Sequence, residues 1–170
     1  MPHTTPDTFP FVKGHGTEND FVLLPDPDGT VHGDLAPELV AALCDRRAGI
    51  GGDGVMRVVR ADAYDDPAAA AARGSAEWFM DYRNADGSVA EMCGTGVRVV
   101  AKHVVDHALV APDGDTVVVG TRAGDKPVTV HRDPDGVVAS VTVDMGPPIL
   151  DPAEVPFHAE QPGAVSEPFV

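Results

Sequence analysis

The spacing of apolar side chains changes several times along this chain, and each change marks an element. Residues 9–13 (FPFVK) and 19–24 (NDFVLL) are short apolar runs rich in aromatic and β-branched side chains, which predicts two strands flanking a loop, GHGTE. Residues 25–34 (PDPDGTVHGD) are turn chemistry. From Ala36-Pro37-Glu38 the spacing becomes helical, with Pro suited to a first turn and an acid beside it suited to the helix dipole. Leu35, Leu39, Ala42 and Leu43 give that helix an apolar face, Cys44 falls among the packing positions, and Arg46-Arg47 suit the C-terminal end. The run AGIGGDG breaks the pattern, and residues 55–60 (VMRVVR) predict a strand.

Residues 61–75 (ADAYDDPAAAAARGS) are alanine-rich and biased, and are expected to be an exposed insertion. Residues 77–83 (EWFMDYR) predict a strand that leads into NADGS. A long helix is predicted from Gly94 to about His107, because Val97, Val100, Ala101, Val104 and Ala108 recur at helical spacing. Val99 and Val105 widen that stripe until little of the surface is polar, and such a helix is buried, here inside a curled sheet. Its five valines are mediocre helix formers, so packing has to supply its stability. Residues 116–121, 126–132 and 137–145 alternate apolar and polar with turns at AGDK and DPDG, the pattern of an antiparallel meander. After Met145 the chain becomes proline-rich and closes no obvious element, and no internal repeat is visible. The fold class predicted is α+β, an antiparallel-rich sheet curled around one central helix.

Composition narrows the function. A chain of 170 residues holds one domain, or one domain and a piece of another, and can bury a core without a staple. It carries 27 acidic against 12 basic side chains, a net charge of −15, which argues against a nucleic-acid partner and fits solubility. The N-terminal MPHTTPDTFPFVKG has no basic stretch followed by an apolar run, and no segment approaches a membrane span. Two cysteines, Cys44 and Cys93, make no disulfide framework. These features predict a soluble, reduced, cytoplasmic protein without a membrane partner.

The chemistry concentrates in DYRNADGSVAEMCGTGVRVVAKHV, residues 81–104. Cys93 precedes Gly94-Thr95-Gly96 and the apolar helix, so its sulfur sits at a helix N-terminus, where unpaired N–H groups and the dipole favour an anion. A thiol there is placed to exchange protons, and the same N–H groups are suited to a substrate carboxylate. Gly94 and Gly96 allow close approach to the backbone, and Asn84 supplies an amide that both donates and accepts.

Two other patterns lead elsewhere and fall short. AGIGGDG and CGTGV are glycine-rich, but neither completes G-x-G-x-x-G and no G-K-[ST] follows, which weighs against nucleotide binding. His103 and His107 stand one helical turn apart, close to H-x-x-E-H with Asp106 for Glu, but no third ligand is placed. Both histidines instead suit a helix C-terminus, and no metal is expected. His15 lies near Asn19 and is expected to orient that loop. Lys13, Lys102 and Lys126 stand in no recognisable Schiff-base context, so no cofactor is expected.

Four ordered blocks resemble the N-terminal half of diaminopimelate epimerases: FVKGHGTENDFVLLP, CDRRAGIGGDGV, DYRNADGSVAEMCGTGVRV and SVTVDMGPPI. The resemblance implies a cofactor-independent isomerase of lysine biosynthesis that interconverts LL- and meso-diaminopimelate with two cysteines on opposite faces of the substrate Cα. Carried over by position, Cys93 is one acid/base, Asn19 and Asn84 are substrate-binding asparagines, and Gly94 and Thr95 form the backbone pocket for the carboxylate. Thr95 replaces an Asn common after the Cys-Gly pair, but its backbone N–H survives. The second cysteine belongs to a further domain in the family, and Cys44, in a helix of the first, is no substitute. The resemblance therefore divides the chain into a first domain, 1–146, and the start of a second, 147–170, within an incomplete enzyme. An inactive fragment, a subunit of a split enzyme and a related racemase or isomerase of the same fold stay open, as does a homodimer; the resemblance also implies that the final strand completing the first domain is missing, and the sheet edge it leaves unpaired is an association hazard.

Overall fold

The computed structural model describes residues 8–110, 115–148, 150 and 151. Among them, seven strands form one sheet in chain order: β1 (Val12–Gly16), β2 (Asn19–Pro25), β3 (Gly54–Arg60), β4 (Trp78–Asn84), β5 (Thr116–Gly120), β6 (Lys126–Arg132) and β7 (Val138–Val143). Helices α1 (Pro37–Cys44), α2 (Pro67–Ala72) and α3 (Gly94–Asp106) fill the longer connections. β2 and β3 pair in parallel, as do β4 and β5, and the other four pairings are antiparallel. The antiparallel-rich α+β prediction holds. Most of the segment expected to open a second domain, 152–170, lies outside the described residues.

Strand direction explains where the helices go. Parallel neighbours need a crossover, and crossovers are right-handed. Because direction reverses between β3 and β4, the same handedness sends the two crossovers to opposite faces of the sheet. On one face α1 buries Val40 and Cys44 against Val22, Leu24 and Val55. On the other, α3 buries Val97, Val100, Ala101 and Val104 against Phe21, Leu23, Met56, Trp78 and Met80. Burying each of those valines contributes ~1.5–3 kcal/mol, which offsets their poor helix propensity. Only Lys102 and Asp106 of α3 are exposed, and they pair at 2.7 Å. The edge strands β1 and β7 both approach α3, leaving between them a cavity of about 290 Å³ lined in part by His15, Arg98, Lys102 and Ser140.

Two segments depart from the pattern reading. Residues 61–75 are not simply exposed. Asp66 caps α2 by accepting the Ala68 N–H at 2.8 Å, and Ala69 and Ala72 are buried against Val59 and Phe79. Small side chains are what let so short a helix lie close on the sheet. β1 begins at Val12 rather than at residue 9, and β1 and β2 pair through Gly16 and Asn19. The expected loop shrinks to the two-residue turn Thr17-Glu18, with φ of 50° and 69°. Positive φ at both positions is the type I′ requirement that matches strand twist, and Thr and Glu meet it at a steric cost.

Candidate active site

Cys93 is the N-cap of α3, with extended backbone angles (φ −140°, ψ 118°), and its Sγ accepts the Gly96 N–H at 3.4 Å. The Val97 N–H donates to the Cys93 carbonyl at 2.8 Å and closes the first helical turn. That leaves the N–H groups of Gly94 and Thr95 at the start of the helix, where no backbone acceptor precedes them. Glycine at 96 allows a close contact: a Cβ there would lie 2.1 Å from Met56 Cε on the sheet below, so the Met56 side chain would have to move. A Cβ on Gly94 would lie 2.9 Å from Met145 Sδ, so that methionine flanks the helix start.

Arg98 completes this turn, and its role is not apparent from sequence. Its guanidinium folds back to donate to the Gly94 carbonyl at 3.3 Å and to Thr95 Oγ1 at 3.1 Å. A cation thus adds to the positive end of the helix and fixes the Thr95 hydroxyl as its acceptor.

The two asparagines stand at one end of the sheet. Gly54 pairs with Phe21 on one side and Asn84 on the other, and Asn19 lies two residues before Phe21. Asn84 ends β4 and begins a tight turn: it exchanges backbone hydrogen bonds with Ser88 and Gly87, and its Nδ2 donates to Ser88 Oγ at 2.9 Å. Gly87, at φ 86°, turns the chain where a Cβ would lie 2.4 Å from Pro37 Cα. Asn19 pairs with Gly16, and a Cβ on Gly16 would lie 2.7 Å from Thr95 Cγ2, so the β1–β2 hairpin packs on the start of α3. The Ala90 N–H donates to the Tyr82 carbonyl at 3.2 Å and ties the segment leading to Cys93 back to β4. Cys93, Gly94, Thr95, Asn19 and Asn84 therefore gather at one end of the fold. Among the described residues no hydrogen bond joins Cys93 to either asparagine.

The start of β2 is anchored electrostatically. Asp20 accepts from Lys13 at 2.7 Å and from Arg46 at 2.6 and 3.1 Å, and Arg46 also reaches Asp53 at 2.9 Å. Arg46 and Lys13 hold the Asp20 carboxyl far below the usual carboxylate range. Arg46 was expected to complement the end of α1. It turns instead to Asp20, because α1 ends at Cys44 with Asp45 as its C-cap, whose carboxylate takes the Arg47 and Ala48 N–H groups. The glycine loop closes the other carbonyls of α1: Ile50 and Gly51 donate to Leu43, and Gly52 donates to Cys44. Its N–H groups are engaged in capping a helix rather than presented to a phosphate.

Cys44 is buried on the α1 face of the sheet, opposite α3, and burial pushes its thiol up. The His103 and His107 rings meet at a tilt of 42° with centroids 4.3 Å apart. His103 is buried with both ring nitrogens unpartnered, and among the described residues no group of three ligands suits a metal. His15 sits in β1 opposite Asp20, at the cavity between the sheet edges.

This arrangement can be set beside known proteins. The family model described as diaminopimelate epimerase matches residues 11–150. The chain belongs to the diaminopimelate epimerase family. It is 57% identical over 156 residues to the diaminopimelate epimerase of Thermobifida fusca (strain YX), covering 87% of this chain and 54% of that protein. It is 54% identical over 145 residues to that of Streptomyces coelicolor, covering 85% of this chain and 46% of the relative. The chain thus spans about half the length of the curated relatives it matches. Among solved structures, methylitaconate-delta-isomerase matches with a TM-score of 0.55 at 14% identity, covering 76% of this chain and 36% of that one, a likeness of fold. No helix among the described residues is long and apolar enough to cross a membrane.

Proposed function

We propose that this chain supplies one half of a diaminopimelate epimerase site, with Cys93 as one of two thiols that act on opposite faces of the substrate Cα. The observation that carries this reading is the position of Cys93 as the N-cap of α3, its Sγ 3.4 Å from the Gly96 N–H. In it, the substrate carboxylate accepts from the Gly94 and Thr95 N–H groups, and Asn19 and Asn84 grip the substrate from the strand ends. When the Cα proton leaves, negative charge spreads onto that carboxylate, where oriented donors and the helix N-terminus stabilise it. Cys93 as thiolate takes the Cα proton in one direction, and as thiol returns one in the other. No electron changes hands, and the reading calls for no cofactor.

The second thiol must come from beyond the described residues, since Cys44 lies across the sheet. The same reading makes this a cytoplasmic enzyme of a soluble amino acid. The outer edges of β1 and β7 are the surfaces a homodimer would use.

The test is incorporation of solvent deuterium at the Cα of diaminopimelate. The 170-residue chain alone is expected to give no net epimerisation, and the complete two-domain enzyme to give turnover that Cys93→Ala lowers by at least about 10²-fold. Robust turnover by the chain alone would remove the need for a second-domain thiol. Normal turnover by the complete Cys93→Ala enzyme would overturn the role of Cys93.

A further inference from the structure

Tyr82 is the one large polar side chain on the α3 face of β4 near Cys93, and its ring does not stand where its register places it. Tyr82 pairs with Met56, one row in from the end of the sheet, whereas the last row is Phe21, Gly54 and Asn84. Gly54 has no side chain, and the Tyr82 ring lies across it. A Cβ on Gly54 would be 2.6 Å from Tyr82 Cε2 and 3.3 Å from its hydroxyl oxygen. The ring meets Phe21 edge-on at 6.0 Å and 88°, which fixes the tilt. Gly54 thus gives up a position in the last row, and a phenol from the next row occupies it.

The result is a hydroxyl carried toward the end of the sheet where Asn84, Asn19 and the start of α3 meet. The residue is 9% exposed, yet among the described residues its hydroxyl has no hydrogen-bond partner. Its backbone carbonyl holds Ala90, and Ala90, Met92 and Cys93 pack against the cluster that contains the ring. Burial, then the negative charges on Cys93 and Asp53, push the phenol up, so the group stays a protonated donor at neutral pH. A mostly buried tyrosine whose hydroxyl has no partner among the described residues, within electrostatic reach of Cys93 at the start of α3, is suited to an incoming acceptor.

We propose that Tyr82, leaning over Gly54, donates its hydroxyl to a carboxylate bound beside Cys93, as a third donor with the Gly94 and Thr95 N–H groups. This rests on the proposed reading of the site, and it adds a substrate-recognition residue to it. A neutral amide of the same size also offers a carbonyl acceptor, but its bond to this donor is weaker than the charge-assisted bond of a carboxylate, so Tyr82 favours the carboxylate.

The test compares two alkylating reagents on Cys93 in the 170-residue chain: iodoacetate, which carries a carboxylate, and iodoacetamide, its neutral counterpart. Tyr82→Phe keeps the ring and removes the donor, and its fold is checked by circular dichroism and melting. The ratio of the iodoacetate rate to the iodoacetamide rate, read by peptide mass mapping, is expected to fall about tenfold in Tyr82→Phe. A second variant, Tyr82→Leu, is expected to lower the ratio as far, whatever it does to each rate. A ratio within twofold of wild type in Tyr82→Phe overturns the proposal, including the case in which both rates fall together because Tyr82 only packs. The outcome does not depend on turnover: an absence of deuterium exchange in the complete enzyme would sink the epimerase reading and leave this result intact.

Discussion

Arg57 and Asp81 face each other across β3 and β4 with Nη2 and Oδ2 2.9 Å apart, in a core that leaves the residues 1% and 0% exposed. They lie on the outer face, between the cluster under α1 and the one under α2. Asp81 also takes Arg83 Nε at 3.0 Å, Arg122 at 2.8 Å and the Tyr64 hydroxyl at 3.1 Å, while Arg57 donates to the Gly33 carbonyl. Asp81 thus meets three guanidinium groups from β3, β4 and the segment after β5, and shares their charge with Asp26, 4.0 Å from Arg57, and Asp66, 2.9 Å from Arg122.

Removing that carboxylate is therefore costly. Asp81→Asn keeps the shape and strips the charge, leaving buried Arg57 with only the longer contact to Asp26 at 4.0 Å, and is expected to destabilise the chain by ~3–5 kcal/mol in urea unfolding. The pH dependence follows. Burial alone would push the Asp81 carboxyl up, but Arg122, Arg83 and Arg57 outweigh it and hold it below its ordinary value. A lowered carboxyl stabilises the fold above the unfolded-state value of about 4, and that contribution is lost as pH falls through the lower folded value. Asp81→Asn should abolish this part of the acid sensitivity. Equal stability of the two proteins at pH 7 would show the network to be dispensable.

The contact between α3 and the sheet beneath the site can be tested by a cycle. Gly96→Ala gains up to ~1 kcal/mol in helix propensity but drives a methyl into Met56, and overpacking of this kind costs ~1–3 kcal/mol. Met56 is fully buried, so it has little freedom to yield. Gly96→Ala should lower stability, and Met56→Ala should make the same substitution neutral or favourable. The coupling expected from chemical unfolding is ~0.5–3 kcal/mol. Additive effects would mean that the helix start is free to shift.

The two thiols should differ in reactivity. Cys93 is half-buried at a helix N-terminus, whereas Cys44 is buried beneath α1 with its thiol pushed up by that burial. Iodoacetamide at neutral pH is expected to label Cys93 at least about tenfold faster than Cys44, with the difference vanishing in denaturant. Mass mapping after timed quenching reads both sites in one sample, and equal native rates would contradict the placement of either cysteine.

Much of the site is local in sequence and was legible there. The cysteine, the glycines after it and the valine stripe fix a helix start without reference to distant residues, and α3 begins at Gly94 as the spacing predicts. NADGS announces its own turn. What was hidden depends on register. Arg57 and Asp81 sit in strands as isolated charges, and only the pairing of β3 with β4 brings them together. Tyr82 reaches the end of the sheet because Gly54, 28 positions earlier, is its diagonal neighbour on β3, one row beyond its partner Met56. The Thr17-Glu18 turn carries none of the Asn-Gly chemistry that announces a hairpin, so GHGTE reads as a loop. Around Asp66-Pro67 the capping signal for α2 is present, but alanine-rich composition outweighs it, and the burial of Ala69 and Ala72 emerges only from the sheet beneath.

His103 offers a further test of α3, on the half of the helix away from the site. It is 7% exposed and, among the described residues, neither ring nitrogen has a partner, so a proton there would be a buried, unpaired charge. Burial, and then the nearby His107, push the imidazole below its ordinary value, with Asp106 opposing. In the unfolded chain the same imidazole takes up a proton near pH 6.5. The unfolded state therefore binds more protons below that pH, and stability falls as pH drops from about 6.5 toward the lowered folded value. His103→Leu removes both the unpaired nitrogens and the titration. It is expected to flatten the pH dependence of stability between about pH 6.5 and 5, by at most ~1.4 kcal/mol per pH unit, the limit for one proton. At pH 7.5 it should be neutral or stabilising, since a buried polar group without a partner is replaced by an apolar one of similar size. Urea unfolding of both proteins across that range reads the difference. A slope that survives the substitution would assign the titration to a group other than His103.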